Sequence, residues 1–172
     1  MQHADVAVDE SWGQVLNQYV RRADLVPGLV SVVNSYARHE SGLFTEIAAA
    51  RSRALTIAKT AGDGRNPEAL AQFQEAQNQL STSLSKLLLL VENYPDLKAN
   101  EVFRDLMVSL EGSENRISYA RQRYIVAVAD YNLGIRVFPL NLIAAQAGFK
   151  PRPQFTVEDE TKIAPAPRID LK

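Results

Sequence analysis

Residues 101–138 read EVFRDLMVSLEGSENRISYARQRYIVAVADYNLGIRVF. Small or apolar residues recur here at alternating steps of three and four, which keeps one stripe of a helix facing a partner helix. The stripe consists of Phe103, Leu106, Leu110, Ser113, Ile117, Ala120, Tyr124, Ala127, Tyr131, Gly134 and Phe138. The stretch therefore predicts one long helix, ended by Pro139, that packs along its whole length.

Two further ladders with the same spacing come before it. One ladder consists of Leu29, Val33, Tyr36, Glu40, Leu43, Ile47, Ala50, Ala54, Ile57 and Ala61. The other consists of Leu70, Phe73, Gln77, Leu80, Leu84, Leu87, Val91 and Tyr94. The segment GDGRNP at 62–67 separates the two ladders, and Asn66 before Pro67 is typical of an N-cap followed by the first helical residue. These patterns predict a second and a third long helix.

A shorter first helix is expected over residues 4–24, with one apolar face formed by Val8, Trp12, Val15 and Tyr19. Pro27 suits the first position of the next helix, where its missing N–H costs nothing. This placement predicts a turn at 24–27. A second turn is expected at 94–100 (YPDLKAN), where Asn100 can cap the fourth helix.

Together the ladders predict an all-α fold, an antiparallel up-and-down four-helix bundle with long helices. A short C-terminal helix is expected from about Leu140 to Ala147, closed by Gly148. Four prolines between 151 and 167 exclude helix from the tail. We therefore divide the chain into a helical bundle at 1–150 and an extended tail at 151–172, packed on the bundle through Phe155 and Val157 or trailing from it.

The amino-acid composition excludes several classes of function for this chain. The 172 residues carry 19 Lys and Arg against 20 Asp and Glu, so no basic field is available to follow a nucleic-acid backbone, and nucleic acid is not an expected partner. Cysteine is absent, which excludes disulfides and thiolate metal sites. The chain has neither a long apolar run nor a signal-peptide pattern at its start, so the given sequence is expected to be soluble.

Catalytic and metal-binding motifs are also absent. The two histidines, His3 and His39, do not belong to a Glu-x-x-His pair or to a zinc-protease helix. The serines lack a nucleophile elbow, and the Gly-rich loop lacks the spacing of a phosphate loop. We therefore expect no enzyme activity, no catalytic residues, no metal and no cofactor.

Three polar residues interrupt the apolar ladders, namely Glu40, Gln77 and Ser113. They can line a polar pocket for a small ligand, or they can set the helix register by meeting one another or nearby arginines. The second alternative makes the polarity of Gln77 dispensable, so that Gln77→Leu would be neutral or stabilising.

Several strings of the sequence occur together in one known family. They are DESW at 9–12, RRADLVP at 21–27, YARHE at 36–40, ENYPDLKAN at 92–100, EGSENRI at 111–117 and FKPRP at 149–153. Over nearly its whole length the chain resembles proteins of the LemA family. Gly28 departs from the pattern, which more often has Asn at that position.

The resemblance implies an up-and-down four-helix bundle, an N-terminal membrane anchor and a molecular function that is unassigned. It is closest to the Gram-negative branch, which implies a soluble domain at the periplasmic face of a bacterial membrane. No anchor is present here, and the first helix is expected to be shorter than its neighbours, so the natural chain is expected to extend upstream. The resulting expectation is a structural or protein-interaction module, with a periplasmic ligand-binding sensor as the alternative. The protein partner and the oligomeric state are not predicted.

The predicted topology places the turns at 24–27 and 94–100 at the same end of the bundle, away from the N terminus and the loop at 62–67. That end is the candidate interaction tip. Its residues are Arg21, Arg22, Asp24, Tyr94, Asp96, Lys98 and Asn100. A surface ion pair between Arg22 and Asp96 is the simpler explanation of these charges, and would contribute only about 0 to 1 kcal/mol.

Overall fold

The computed structural model of the protein describes residues 2–155, and all regular secondary structure in that range is helical. The helices are α1 (Gln2–Tyr36), α2 (Ser41–Thr60), α3 (Pro67–Val91), α4 (Pro95–Ala99), α5 (Glu101–Gly134) and α6 (Leu140–Gln146). The predicted all-α class is confirmed. Val157 and the rest of the tail from 156 on lie outside the described residues.

Helices α1 and α5 run antiparallel along each other, and each extends about 50 Å at 1.5 Å per residue. Near one end, the Trp12 and Tyr124 rings lie 5.3 Å apart. Toward the other end, Leu106 packs against Gly28. Helix α2 packs on α3, where Glu46 accepts hydrogen bonds from Ser83 and Lys86.

The predicted turn at 24–27 is wrong, because α1 continues without interruption through Pro27 to Tyr36. The chain reverses instead at residues 37–40, and α2 starts at Ser41 rather than at Pro27. Helix α1 has 35 residues and is the longest helix in the described range, so the expectation of a short first helix is also wrong.

Helix α1 tolerates Pro27 because another side chain replaces the hydrogen bond that proline removes. A proline inside a helix leaves the carbonyl four residues earlier without its usual donor. That carbonyl belongs to Ala23, and Nε of Arg51 on α2 donates to it at 2.7 Å. Arg51 therefore both satisfies the freed carbonyl and joins α2 to α1.

The other predicted boundaries are close to those observed. The Asn66 side chain accepts hydrogen bonds from the first turn of α3, and Asn100 caps α5 by accepting from Phe103 N–H. Helix α5 ends at Gly134 instead of at Pro139, and the ring of Phe138 is exposed. The prediction that Phe138 belongs to the packed face of this helix is therefore wrong. Gly148 follows α6 with φ of +74°, the left-handed conformation that favours glycine.

The core divides into two clusters along the long axis. The aromatic cluster, around Trp12, Phe73 and Tyr124, lies at the end where α1 begins and α5 ends. The other cluster is mainly aliphatic and lies toward the 37–40 turn, with Leu29, Ile47, Leu80 and Leu87 fully buried.

Candidate functional site

Arg22 is the centre of a polar network between the two core clusters. Its side chain is 2% exposed, although it carries a full charge. One terminal nitrogen donates to the Gln77 side-chain oxygen at 2.8 Å and to the Gln77 backbone oxygen at 3.2 Å. The other donates to Ser81 Oγ at 2.9 Å and to Glu114 Oε1 at 3.0 Å. Arg22 thus connects α1 to both α3 and α5.

The surroundings of Arg22 fit a buried cation. Its guanidinium lies 5.1 Å from the centre of the Tyr19 ring, close enough for a cation–π interaction. Burial raises the pKa of the Tyr19 phenol, so this ring stays neutral and keeps its electron-rich face. Glu114 lies half-exposed at the edge of the network and supplies the countercharge.

The three polar residues that interrupt the ladders, Glu40, Gln77 and Ser113, do not form a single site. Gln77 is buried and its amide oxygen accepts from Arg22, while the Ser113 hydroxyl donates to the Leu110 carbonyl of its own helix. Glu40 is half-buried at the start of α2, and about 20 Å of α3 separates Gln77 from that end of the molecule. The prediction that nearby arginines form hydrogen bonds with these polar residues is confirmed for Gln77. The expectation that the polarity of Gln77 is dispensable does not fit this network.

A second buried arginine, Arg152, fastens the C-terminal segment, residues 149–155, to the start of α1. One terminal nitrogen donates to Asp5 at 2.6 Å and to Asp9 at 2.7 Å, and the other donates to the Asp63 carbonyl at 3.2 Å. Arg65 approaches the same two carboxylates from the 61–66 loop, at 3.0 and 3.3 Å. We call these five residues the clasp: Asp5, Asp9, Asp63, Arg65 and Arg152.

The clasp lowers the pKa of Asp5. Partial burial alone would raise this pKa, but hydrogen bonds from Arg152 and Arg65 favour the carboxylate and outweigh burial. Partial burial likewise opposes the charge on Arg152, and the hydrogen bonds to Asp5 and Asp9 outweigh it and raise its pKa. Each charge in the clasp is therefore stabilised by its partners.

Backbone hydrogen bonds extend the docking of the C-terminal segment along α5. Asn132 exchanges two hydrogen bonds with the backbone of Arg152, at 2.8 and 2.9 Å. The hydroxyls of Tyr124 and Tyr131 donate to the carbonyls of Pro153 and Lys150. Burial raises the pKa of Tyr124 to about 12, so this hydroxyl remains a donor throughout the neutral range.

The 61–66 loop closes against the aromatic cluster. Trp12 Nε1 donates to the Gly62 carbonyl at 2.9 Å. Gly64 has φ of +71°, and a Cβ there would lie 3.1 Å from the Trp12 ring and 3.2 Å from the Tyr124 hydroxyl. Glycine is therefore required at this position both by its backbone conformation and by the close approach of the rings.

The structure separates the residues of the predicted interaction tip. Arg21, Arg22 and Asp24 lie in the middle of α1 and not at its end, so their placement at the tip is wrong. Arg22 contacts Glu114 and not Asp96, and the ion partner of Asp24 is Arg51, at 3.7 Å. Tyr94, Asp96, Lys98 and Asn100 do lie at that end, where Asn100 donates to the Tyr36 hydroxyl at 3.2 Å.

The observed distal tip consists of residues 36–40 and 92–100. Arg38, His39, Asp96 and Lys98 are exposed on it, and Leu97 is buried beneath them. Whether this surface binds a protein partner stays a prediction.

The sequence interpretation missed both arginine networks. A signal for Arg22 was present, because it lies three residues after Tyr19 and four before Val26, on the same stripe as Val8, Trp12 and Val15. No comparable signal exists for the clasp, whose members Asp5 and Arg152 are 147 residues apart.

Within residues 2–155, no group of three or more His, Asp or Glu side chains is placed to hold a metal ion. No helix in the same range is long and apolar enough to cross a membrane.

A model of the LemA family matches residues 11–170. The chain belongs to the LemA family. It is 26% identical over 149 residues to the magnetosome protein MamQ of Magnetospirillum gryphiswaldense, an alignment that covers 76% of this chain and 54% of that protein. Two MamQ proteins of Paramagnetospirillum magneticum are also 26% identical, over 146 residues, with the same coverage. This LemA chain thus spans about half the length of the curated relatives it matches.

Proposed function

We propose that this LemA protein is a non-enzymatic, membrane-associated module with a structural or protein-interaction role at the bacterial envelope, its four long helices forming an up-and-down bundle. The observation that carries the proposal is the pair of buried arginines. Arg22 ties α1 to α3 and α5, and Arg152 ties the C-terminal segment to α1 and the 61–66 loop. Polar groups used in this way make a rigid body with a fixed outer surface.

Family membership and the magnetosome relatives support the membrane association. In this proposal the N-terminal end of the domain faces the membrane, on the periplasmic side, and the distal tip faces a protein partner. The alternative of a small-ligand sensor has less support, because the polar groups expected to line its pocket are dispersed or already bonded within the protein.

The test uses the full-length protein in a bacterium that encodes it. We expect it to fractionate with membranes, and we expect in-cell crosslinking to retain a partner that the variant Asp96→Lys with Lys98→Glu loses. Both residues are exposed and the net charge is unchanged, so stability should stay close to that of the parent.

The matched control is Glu111→Lys with Arg123→Glu, an exposed charge exchange in the middle of α5. It should retain the partner. Recovery of the full-length protein in the soluble fraction would contradict the membrane role. Equal capture by the tip variant and the parent would contradict the role of the tip.

A further inference from the structure

The end of the molecule opposite the distal tip carries a concentration of exposed apolar side chains. Phe138 is 75% exposed, Leu142 64% and Ile143 58%, and Val137 and Leu140 are also exposed. We call these five residues the apolar patch. They lie between the end of α5 and the middle of α6, within seven consecutive positions. Soluble surfaces usually scatter such residues singly, so their clustering indicates a binding surface.

The fold holds this patch in place. Ala144 of α6 is buried in the aromatic cluster together with Val8, Ile135 and Phe155. Leu142 lies nearly opposite Ala144 around the helix, at 100° per residue, and therefore points away from the core. Helix α6 is thus fixed on one side and presents Leu142 and Ile143 on the other.

The charges around the patch indicate what covers it. From Tyr131 to Phe155 the sequence contains three basic residues and no acidic residue, with Asp130 and Glu158 as the flanking acids. Arg152 is engaged in the clasp, but Arg136 and Lys150 are exposed and form no ion pair within residues 2–155. The nearby carboxylates of Asp5 and Asp9 are paired with Arg152 and Arg65. The patch is apolar, and the charged residues that flank it in sequence, Arg136 and Lys150, are both basic. We call these two residues the charged rim.

We propose that the apolar patch inserts into the interfacial region of an anionic lipid bilayer, with Arg136 and Lys150 contacting the lipid headgroups. A short amphipathic element with large apolar residues and basic neighbours is the kind of structure that lies in this interface. The patch is at the same end as the start of α1, so contact there leaves the distal tip directed away from the membrane. This inference rests on the proposed membrane association and specifies the residues that touch lipid.

Binding is tested with the chain of residues 1–172 and vesicles containing phosphatidylglycerol and phosphatidylcholine in equal parts. We expect the chain to sediment with these vesicles and much less with phosphatidylcholine alone. Leu142→Ser with Ile143→Ser should reduce partitioning about tenfold or more, because two apolar contacts with the membrane are lost. Leu89→Ser with Val108→Ser, at exposed positions outside the patch, should leave partitioning unchanged.

The charged rim is tested in the same assay. Arg136→Gln with Lys150→Gln should weaken binding to the anionic vesicles about tenfold or more and reduce its dependence on salt. The matched control removes two exposed arginines from α5 through Arg104→Gln with Arg116→Gln, and should have a much smaller effect.

A direct measurement of insertion uses the absence of cysteine from the chain. An environment-sensitive fluorophore on Leu142→Cys should shift to the blue when anionic vesicles are added, and the same fluorophore on Val108→Cys should not. An unchanged spectrum at position 142 would overturn the inference. So would a spectrum at 142 that is blue-shifted before vesicles are added, or a dimer that Leu142→Ser with Ile143→Ser disperses, because either result means that protein covers the patch.

The two proposals can fail separately. If the full-length protein fractionates with membranes while the fluorophore at position 142 does not respond, only the lipid contact is wrong. If the full-length protein is soluble in the cell, the proposed function is wrong.

Discussion

At the scale of single residues, the interior of this protein depends on a charge placed on an apolar stripe. Arg22 occupies a ladder position that Leu or Val would normally fill, and its terminal nitrogens reach Gln77, Ser81 and Glu114. Truncating one partner of a buried charge is costly, because the remaining charge keeps its desolvation penalty. Gln77 is such a partner. It matters for stability because its amide oxygen accepts a hydrogen bond from the buried Arg22.

We therefore expect Gln77→Leu to lower the free energy of unfolding by about 2 to 4 kcal/mol, since it leaves the Arg22 guanidinium buried with fewer acceptors. Urea denaturation measures this loss. Asn78→Leu, at the exposed neighbouring position, is the matched control and should change stability by no more than about 0.5 kcal/mol.

The double variant Arg22→Met with Gln77→Leu separates the two contributions. It should be more stable than Gln77→Leu alone, because no unpaired charge is left in the core. A neutral or stabilising effect of Gln77→Leu would show instead that the network contributes nothing to stability.

At the scale of the element, α1 shows how tertiary contacts override a local signal. Pro27 after a charged segment resembles the start of a helix, yet the buried residues of α1 keep the same 3,4 spacing on both sides of it, through Tyr19, Arg22, Val26 and Leu29. A turn would shift the phase of that spacing. Arg51 then supplies the donor that Pro27 lacks, so one continuous helix forms.

We expect Pro27→Ala to stabilise the protein by about 1 to 3 kcal/mol, because Pro27 is exposed and alanine restores the backbone hydrogen bond to Ala23. Thermal and urea unfolding would measure the gain. If residues 24–27 formed a turn with proline at the first helical position, the same change would be neutral or destabilising.

The contribution of Arg51 can be isolated with the same substitution. Arg51→Met should destabilise the parent more than it destabilises the Pro27→Ala variant, because only the parent relies on Arg51 as the donor to Ala23. A double-mutant cycle should give a coupling energy of about 0.5 to 1.5 kcal/mol. A coupling energy near zero would mean that the bond from Arg51 does not compensate for proline.

At the scale of the whole molecule, the clasp joins parts of the chain that are distant in sequence. The start of α1, the 61–66 loop and the C-terminal segment meet at Asp5, Asp9, Arg65 and Arg152. This end of the molecule also carries the apolar patch, so the clasp fixes the surface that we propose to meet lipid. The distal tip has no comparable buried ion pair among the residues that the structure describes.

The lowered pKa of Asp5 predicts acid sensitivity. A carboxyl group whose pKa is lower in the folded than in the unfolded protein stabilises the fold above its unfolded pKa of about 3.8, and this contribution is lost as the pH falls below that value. We expect Asp5→Asn to lose about 1 to 3 kcal/mol of stability at pH 7. The difference between variant and parent should shrink as the pH is lowered from about 4 toward 2.

Urea denaturation of both proteins across this pH range measures the effect. Glu10→Gln, an exposed change one turn further along α1, is the control and should change stability at pH 7 by no more than about 0.5 kcal/mol. A constant difference between Asp5→Asn and the parent would show that Asp5 contributes through packing and not through its charge.

The sequence by itself determined the all-α class, the ladders of α3 and α5, the asparagine caps at 66 and 100 and membership of the LemA family. These features depend on local spacing and local hydrogen bonds, which a single sequence records directly. Only the tertiary structure decided the continuity of α1, the roles of Arg22 and Arg51, and the clasp. Each of these depends on which side chain from a distant segment satisfies a buried carbonyl or charge, and local spacing carries no information about that partner.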